Sequence, residues 1–74
     1  MATIVLRVRL VSGDYLDVTY ETAEAGDEAE AVEHAIDILA SDTGVLRCGH
    51  GGRLVVLYSR GVAAVEVGPR GAVV

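Results

Sequence analysis

The residues best suited to chemistry lie in one short stretch, Cys48 to Arg53, which reads CGHGGR and directly follows Arg47. A thiol, an imidazole, two arginines and three glycines therefore fall within seven residues. These residue types suggest metal binding, nucleophilic catalysis or the binding of an anion. Each kind of chemistry needs further groups at suitable spacing, so the rest of the sequence can decide between them.

Metal binding and catalysis find little support around this stretch. A zinc site needs three or four ligands, but the chain has a single cysteine and only two histidines, His34 and His50. A catalytic Cys48–His50 pair would need a third group to orient the imidazole, and a chain of 74 residues has little room for a closed active-site pocket. We therefore expect no enzyme, no metal and no cofactor, with Cys48 a small buried residue on a strand.

Anion binding is the stronger functional interpretation of the stretch. Glycine-rich loops let backbone N–H groups approach a phosphate. The positive charge would come from Arg47, His50, Arg53 and Arg60. No helix follows, however, and the spacing is neither that of a P-loop nor that of a dinucleotide-binding motif. The simpler prediction is a β-turn whose glycines adopt positive φ.

Two alternating segments begin the framework that must position this turn. Residues 3–11 (TIVLRVRLV) and 15–20 (YLDVTY) alternate apolar and polar side chains, which predicts a hairpin of two half-buried strands. A three-residue loop over 12–14 would place Arg9 opposite Asp17, a favourable charge pair. One face of this hairpin is then apolar and the other is charged.

Residues 27–41 (DEAEAVEHAIDILAS) predict an amphipathic helix. Asp27 followed by Glu30 has the spacing of a capping box, and Gly44 is predicted as a left-handed cap after the helix. The predicted buried face carries Val32, Ile36 and Leu39. The predicted solvated face carries Glu30, Glu33, His34 and Asp37, with His34 paired to the acids on either side of it.

Three further strand segments follow, at 45–48, 53–58 and 62–67. Residues 59–61 read as a tight turn, so we predict a second hairpin in which Tyr58 pairs with Val62. Both faces of that hairpin are apolar, although one helix can cover only one face of a sheet. An exposed apolar face usually marks an interface. The predicted interface residues are Val55, Leu57, Val65 and Val67.

The predicted fold is a small α+β single domain over 1–74 with the order β-β-α-β-β-β. An antiparallel sheet of four or five strands carries one helix on one face, and residues 68–74 are expected to be a flexible C-terminal tail. The predicted core consists of Ile4, Leu6, Val8, Leu10, Leu16, Val18, Val32, Ile36, Leu39, Leu46, Leu54 and Val56.

The opening hairpin VRLVSGDYLDVTYE, followed by a helix and further strands, is similar in outline to the ubiquitin-like β-grasp. Carrier and modifier members of that family end in an exposed Gly-Gly, whereas this chain ends in GAVV. The resemblance therefore implies a fold and not a carrier function. A plain antiparallel meander fits the same order of elements.

Composition narrows the class of protein further. Eleven acids against six arginines give a net charge of -5, which argues against general nucleic-acid binding because that binding depends on neutralising phosphates. No apolar run suits a membrane span, no signal peptide is visible, and a lone cysteine favours a reducing compartment. We expect a cytoplasmic protein of a bacterium or of a phage-infected host, since the composition is typical of the GC-rich genomes of actinobacteria and their phages.

These features together favour a small non-enzymatic interaction module that forms a homo-oligomer and binds a protein partner. The evidence for it is the surplus apolar face of the second hairpin and the acidic helix. The alternative is an oligomeric binding or sequestering protein. That protein would hold a phosphate-bearing molecule or nucleotide in a basic notch near the Arg47–Arg53 loop.

Overall fold

The computed structural model describes residues 2–67. The elements are β1 (Ala2–Leu10), β2 (Tyr15–Thr22), α1 (Glu28–Ala40), β3 (Val45–His50), β4 (Arg53–Tyr58) and β5 (Val62–Glu66). A 3-10 turn over Ser59–Gly61 joins β4 to β5. The predicted α+β fold, with one antiparallel sheet and one helix, is confirmed. The predicted C-terminal tail lies outside the described residues.

The loop of the first hairpin has the predicted length but begins one residue earlier. It spans 11–13 and is closed by the Leu10 N–H, which donates to the Asp14 carbonyl oxygen at 2.8 Å. Gly13 ends it with φ 98°, the left-handed conformation that three-residue hairpin loops require at this position. Because the loop begins one residue earlier, the register between β1 and β2 shifts by two residues from the predicted one.

The resulting register keeps every side chain of the first hairpin on its predicted face. Arg7, rather than Arg9, lies opposite Asp17, and Leu6 lies opposite Val18. A shift of two residues preserves the faces because side chains alternate with a period of two. The side chains on the predicted apolar face of β1 are therefore buried or half-buried, and only the identity of the charge pair changes.

Helix α1 begins at the predicted cap. Asp27 Oδ1 accepts a hydrogen bond from the Glu30 N–H at 2.9 Å, and Glu30 Oε1 accepts one from the Gly26 N–H at 2.6 Å. The acids thus satisfy backbone donors at and just before the helix start. The helix packs on β1, β2 and β3, which places it across the middle of the sheet.

The buried face of α1 is rotated from the predicted one. Ala31 and Ala35 are its most buried residues, and their small side chains meet the sheet, while Val32 and Leu39 are half-buried beside them. Ile36 is 47% exposed, so its predicted place in the core is wrong. Its side chain lies at the rim of the helix–sheet contact instead.

The strand order is β4-β3-β2-β1-β5, with every neighbouring pair antiparallel. The predicted hairpin between Tyr58 and Val62 is therefore wrong, because β4 and β5 lie at opposite edges of the sheet. The edges of a flat five-stranded sheet would be about 19 Å apart, whereas even an extended chain from Tyr58 to Val62 reaches only about 14 Å. The sheet must curl to bring the end of β4 near the start of β5.

Backbone hydrogen bonds hold this curled arrangement at the 59–61 turn. The Ser59 N–H donates to the Gly44 carbonyl oxygen at 2.9 Å, and the Val11 N–H donates to the Gly61 carbonyl oxygen at 3.0 Å. The loop after α1 and the loop of the first hairpin therefore meet at one short turn. Alternation of residues along a strand cannot reveal a closure of this kind.

Gly44 is required for a reason other than the predicted one. Positive φ occurs only at Gly13, Gly51 and Gly52 among the described residues, so Gly44 is not a left-handed cap. A Cβ on Gly44 would lie 1.8 Å from the carbonyl oxygen of Ile38. The backbone therefore passes too close to the end of α1 for any side chain to fit.

Candidate protein-interaction surface

The CGHGGR stretch forms the turn that its glycines predicted. His50 and Arg53 are paired across it, so Gly51 and Gly52 make a two-residue hairpin loop between β3 and β4. Their φ values are 56° and 81°, and two consecutive positive values define the type I′ turn that matches the twist of a hairpin. The turn thus explains Gly51 and Gly52, whereas Gly49 lies within β3.

Cys48 and His50 do not form a reactive pair. Cys48 is buried as predicted, with its thiol 3.5 Å from the Val55 carbonyl oxygen, and burial raises the pKa of that thiol. A protonated thiol is a poor nucleophile. The imidazole of His50 instead lies at the surface, with Nδ1 2.7 Å from the Asp17 carbonyl oxygen.

The predicted anion-binding residues are not gathered into one notch. We call the face of the sheet that packs on the core and α1 the inner face, and the opposite one the outer face. Arg47 lies opposite exposed Val56 on the outer face, whereas His50 and Arg53 occupy ladder positions of the inner face at the hairpin end. Arg60 belongs to the 59–61 turn at the other end of β4.

Histidine 34 has different partners from those predicted. It is half-buried and not fully solvated, with Nδ1 3.3 Å from the Tyr20 hydroxyl and Nε2 3.4 Å from Glu24 Oε1. Both partners belong to β2 or the loop after it, because α1 crosses that strand. Within residues 2–67, no cluster of three or more His, Cys, Asp or Glu side chains could hold a metal ion.

The predicted apolar interface is largely inside the protein. Leu57 is 6% exposed, and Val55 and Val65 are partly buried against the core, which leaves Val67 as the one predicted residue with large exposure. The reason is the β3–β4 register: Leu57 lies opposite Leu46 and Val55 lies opposite Cys48. Because Leu46 and Cys48 are core residues, their partners face inward too.

The same register exposes the other side of β4. Leu54, Val56 and Tyr58, here called the β4 row, are 73%, 37% and 64% exposed. The predicted core positions of Leu54 and Val56 are therefore wrong, since their side chains lie on the outer face. The Gly51-Gly52 pair was the sequence signal that could have revealed this register. A two-residue turn there pairs His50 with Arg53 and therefore Leu46 with Leu57, which leaves Leu54 and Val56 on the opposite face.

The β4 row lies on an edge strand. In the described part of the chain β4 has a strand neighbour on one side only, β3, so its second edge offers N–H and C=O groups to another chain. Natural edge strands are usually protected by charges, prolines or bulges. Between its ends β4 has none of these, since residues 54–57 read LVVL.

Three arginines lie on or next to the β3–β4 hairpin without ion-pair partners in residues 2–67. Residues 43–65 contain three arginines and no acid. Arg47, Arg53 and Arg60 are all exposed, and none of them forms a side-chain hydrogen bond or ion pair with residues 2–67. Arginines without intramolecular partners keep their full hydrogen-bonding capacity for another molecule.

The outer face of the first hairpin is charged and paired. Arg7 Nε lies 2.9 Å from Asp17 Oδ1, and Glu66 of β5 lies opposite Arg7 on its other side. The hydrogen bond from Arg7 lowers the pKa of Asp17. Arg9 donates to the Tyr15 hydroxyl at 2.6 Å and lies 5.0 Å from the centroid of that ring.

An apolar groove of about 310 Å³ runs between α1 and β5. Its walls include Leu6, Val32, Ile36, Leu39, Val65 and Val67. We call it the α1–β5 groove. Glu33 and Asp37 follow Ile36 around the helix toward solvent and are exposed, and neither side chain has a hydrogen-bond or ion-pair partner within 2–67.

Comparisons of the chain with protein-family models, with curated proteins and with solved structures found no match. None of the helical structure in residues 2–67 is long and apolar enough to cross a membrane. The chain's distinctive surface features are an apolar edge strand, three arginines without ion-pair partners in residues 2–67, and an apolar groove between α1 and β5.

Proposed function

We propose that this protein is a small, non-enzymatic protein-interaction module that self-associates through the outer face of β4. The observation that carries the proposal is the β4 row on an unpaired edge strand. Burying a side chain such as Leu54 is worth about 1.5–3 kcal/mol. Three neighbouring side chains therefore supply enough hydrophobic free energy to offset part of the entropy lost on association.

The proposal places the protein in the cytoplasm of a bacterium or of a phage-infected cell. Support comes from Cys48, whose burial without a second cysteine suits a reducing compartment. The net charge of -5 disfavours nucleic acid as the main partner. A protein surface is the partner best matched to an apolar row on a strand edge.

Binding of a phosphate-bearing ligand is a second candidate function, because Arg47, Arg53 and Arg60 have no partners within the described residues. Their spread over two faces and two ends of β4 means that one chain would hold a phosphate weakly. A thermal-shift screen with nucleotides and inorganic phosphate tests this function. It would be supported by a rise in melting temperature that is lost in Arg53→Ala.

Light scattering coupled to size exclusion tests self-association directly. We expect the wild-type mass to rise above that of one chain as concentration increases into the high micromolar range, and Leu54→Glu to return it to one chain. Val11→Glu is the matched control, because Val11 is 69% exposed but lies in the loop of the first hairpin. A wild-type protein that stays monomeric throughout would contradict the proposed function.

A further inference from the structure

The α1–β5 groove and the edge of β5 beside it are both uncovered in the part of the chain that the structure describes. The groove is lined by apolar side chains of α1 and β5, and its residues Ile36 and Val67 are 47% and 45% exposed. Strand β5 has a strand neighbour on one side only, β1. Natural sheets cover or block such edges, and one added strand would cover the edge of β5 and the groove together.

The side chains of β5 show which face an added strand would share with the groove. Val65 lies opposite the buried Val8 and therefore faces inward, and Val67 follows it on the same face. Both line the groove. Glu66 lies between them, opposite exposed Arg7 on the outer face. Every second side chain of a strand beside β5 would therefore extend the apolar walls of the groove.

The sequence continues for seven residues after Val67, and they read GPRGAVV. Gly68 to Gly71 has the residue preferences of a type I β-turn, with proline at the second position and glycine at the fourth. Hairpin loops of four residues are most often built around such a turn. The residues that follow, 72–74, are apolar, and two of them are β-branched valines, which favour strands. The sequence after β5 thus has the pattern of a hairpin loop followed by a short strand.

A loop over residues 68–71 fixes the register of that strand against β5. The resulting pairs are Val67 with Ala72, Glu66 with Val73, and Val65 with Val74. Directly opposite residues of antiparallel strands lie on the same face, so Val74 belongs to the inner face beside the groove and Val73 to the outer face. Three extended residues span about 10 Å, which is enough to run back along β5 as far as Val65.

We propose that residues 68–74 fold back on their own chain, pair with the free edge of β5 and place Val74 against the α1–β5 groove. The occupant is this segment and not a second copy, because it is attached at Val67, on the wall of the groove. An attached segment avoids the translational and rotational entropy that a separate molecule loses. The cover replaces the flexible tail expected from the sequence. It does not depend on self-association, since β5 and β4 are opposite edges of the sheet.

NMR spectroscopy of the full chain tests the proposal, at a concentration where light scattering shows single chains. We expect nuclear Overhauser contacts from the Val74 methyl groups to Ile36 or Leu39 of the groove. We also expect the backbone order parameters of residues 72–74 to approach those of β5. Order parameters below about 0.6, which describe flexible backbone, together with no contact between Val74 and α1, would overturn the proposal.

A mixture of isotope-labelled and unlabelled chains at high micromolar concentration shows which copy provides the segment. Filtered spectra separate contacts within one chain from contacts between chains. Contacts between Val74 and α1 within one chain support the proposal. Contacts found only between chains would mean that a second copy fills the groove, which overturns the intramolecular cover.

Val74→Asn and Val73→Asn form a matched pair, because the same substitution is made at neighbouring valines. Val74→Asn should lower the melting temperature by a few degrees and the order parameters of 72–74, since an amide without a partner is costly to bury in an apolar groove. Val73→Asn should change neither, because its side chain lies on the outer face. Ile36→Asn, at an exposed position of the groove, should also lower the order parameters of 72–74. Equal effects of the two valine variants would contradict the placement of Val74 in the groove.

Discussion

The first hairpin, in the middle of the sheet, and β4, at its edge, differ in how the arginines on or near them are held. In the first hairpin Arg7 is paired with Asp17, and Arg9 is bonded to Tyr15. Arg47, Arg53 and Arg60 have no such partners in residues 2–67, and the side chains that β4 itself places on the outer face are apolar. The first hairpin thus has strand neighbours on both sides and pairs its charges internally, whereas β4 combines an open edge with an apolar outer side.

Substitutions on the two faces of β4 should differ most in their effect on stability. At a low protein concentration, where the chain is monomeric, Leu57→Ala should cost about 2–5 kcal/mol because it opens a cavity in the core. Under the same conditions Leu54→Ala should change stability by less than about 0.5 kcal/mol. Urea unfolding followed by circular dichroism measures both. Equal losses at the two positions would mean that the faces of β4 are assigned wrongly.

A second test concerns Gly44, in the loop between α1 and β3 that contacts the 59–61 turn. Gly44→Ala should destabilise the protein by about 1–3 kcal/mol, as overpacking does, because its Cβ would meet the Ile38 carbonyl oxygen. Gly61→Ala is the matched control, since nothing lies within 4 Å of a Cβ there and its φ is not positive. A melting temperature lowered equally in both variants would contradict this explanation of Gly44.

Sequence alternation predicts the buried face of β1 but not that of β4. Alternation in β1 placed Ile4, Leu6 and Val8 correctly, because only one face of that strand is apolar. In β4 both faces are apolar, so alternation could not choose between Val55 with Leu57 and the β4 row. The assignment failed because it relied on a hairpin at Ser59–Gly61, and the curl that sends β5 to the other edge leaves no local signal in the chain.

The candidate site was predictable in part. The absence of acids from residues 43–65 can be counted in the sequence, but whether Arg47, Arg53 and Arg60 find partners on other elements depends on the fold. Which apolar residues accompany them depends on the pairing of β3 with β4. The α1–β5 groove depends on the rotation of α1 about its axis, which places Ala31 and Ala35 inward and leaves Ile36 at the rim.

The Arg7–Asp17 pair of the first hairpin should make a small, pH-dependent contribution to stability. The pKa of Asp17 is lowered by its hydrogen bond from Arg7, so the folded state favours the ionised carboxylate. This contribution is present above the unfolded pKa of about 3.9 and is lost as pH falls through the lower folded value. Asp17→Asn should therefore melt slightly below the wild type at neutral pH, and the difference should vanish in acid. Arg47→Ala is the control and should leave the melting temperature unchanged at both pH values, since Arg47 has no ion-pair partner within residues 2–67. If Arg47→Ala also lowered the melting temperature at neutral pH and not in acid, the paired first hairpin and the unpaired arginine would not differ.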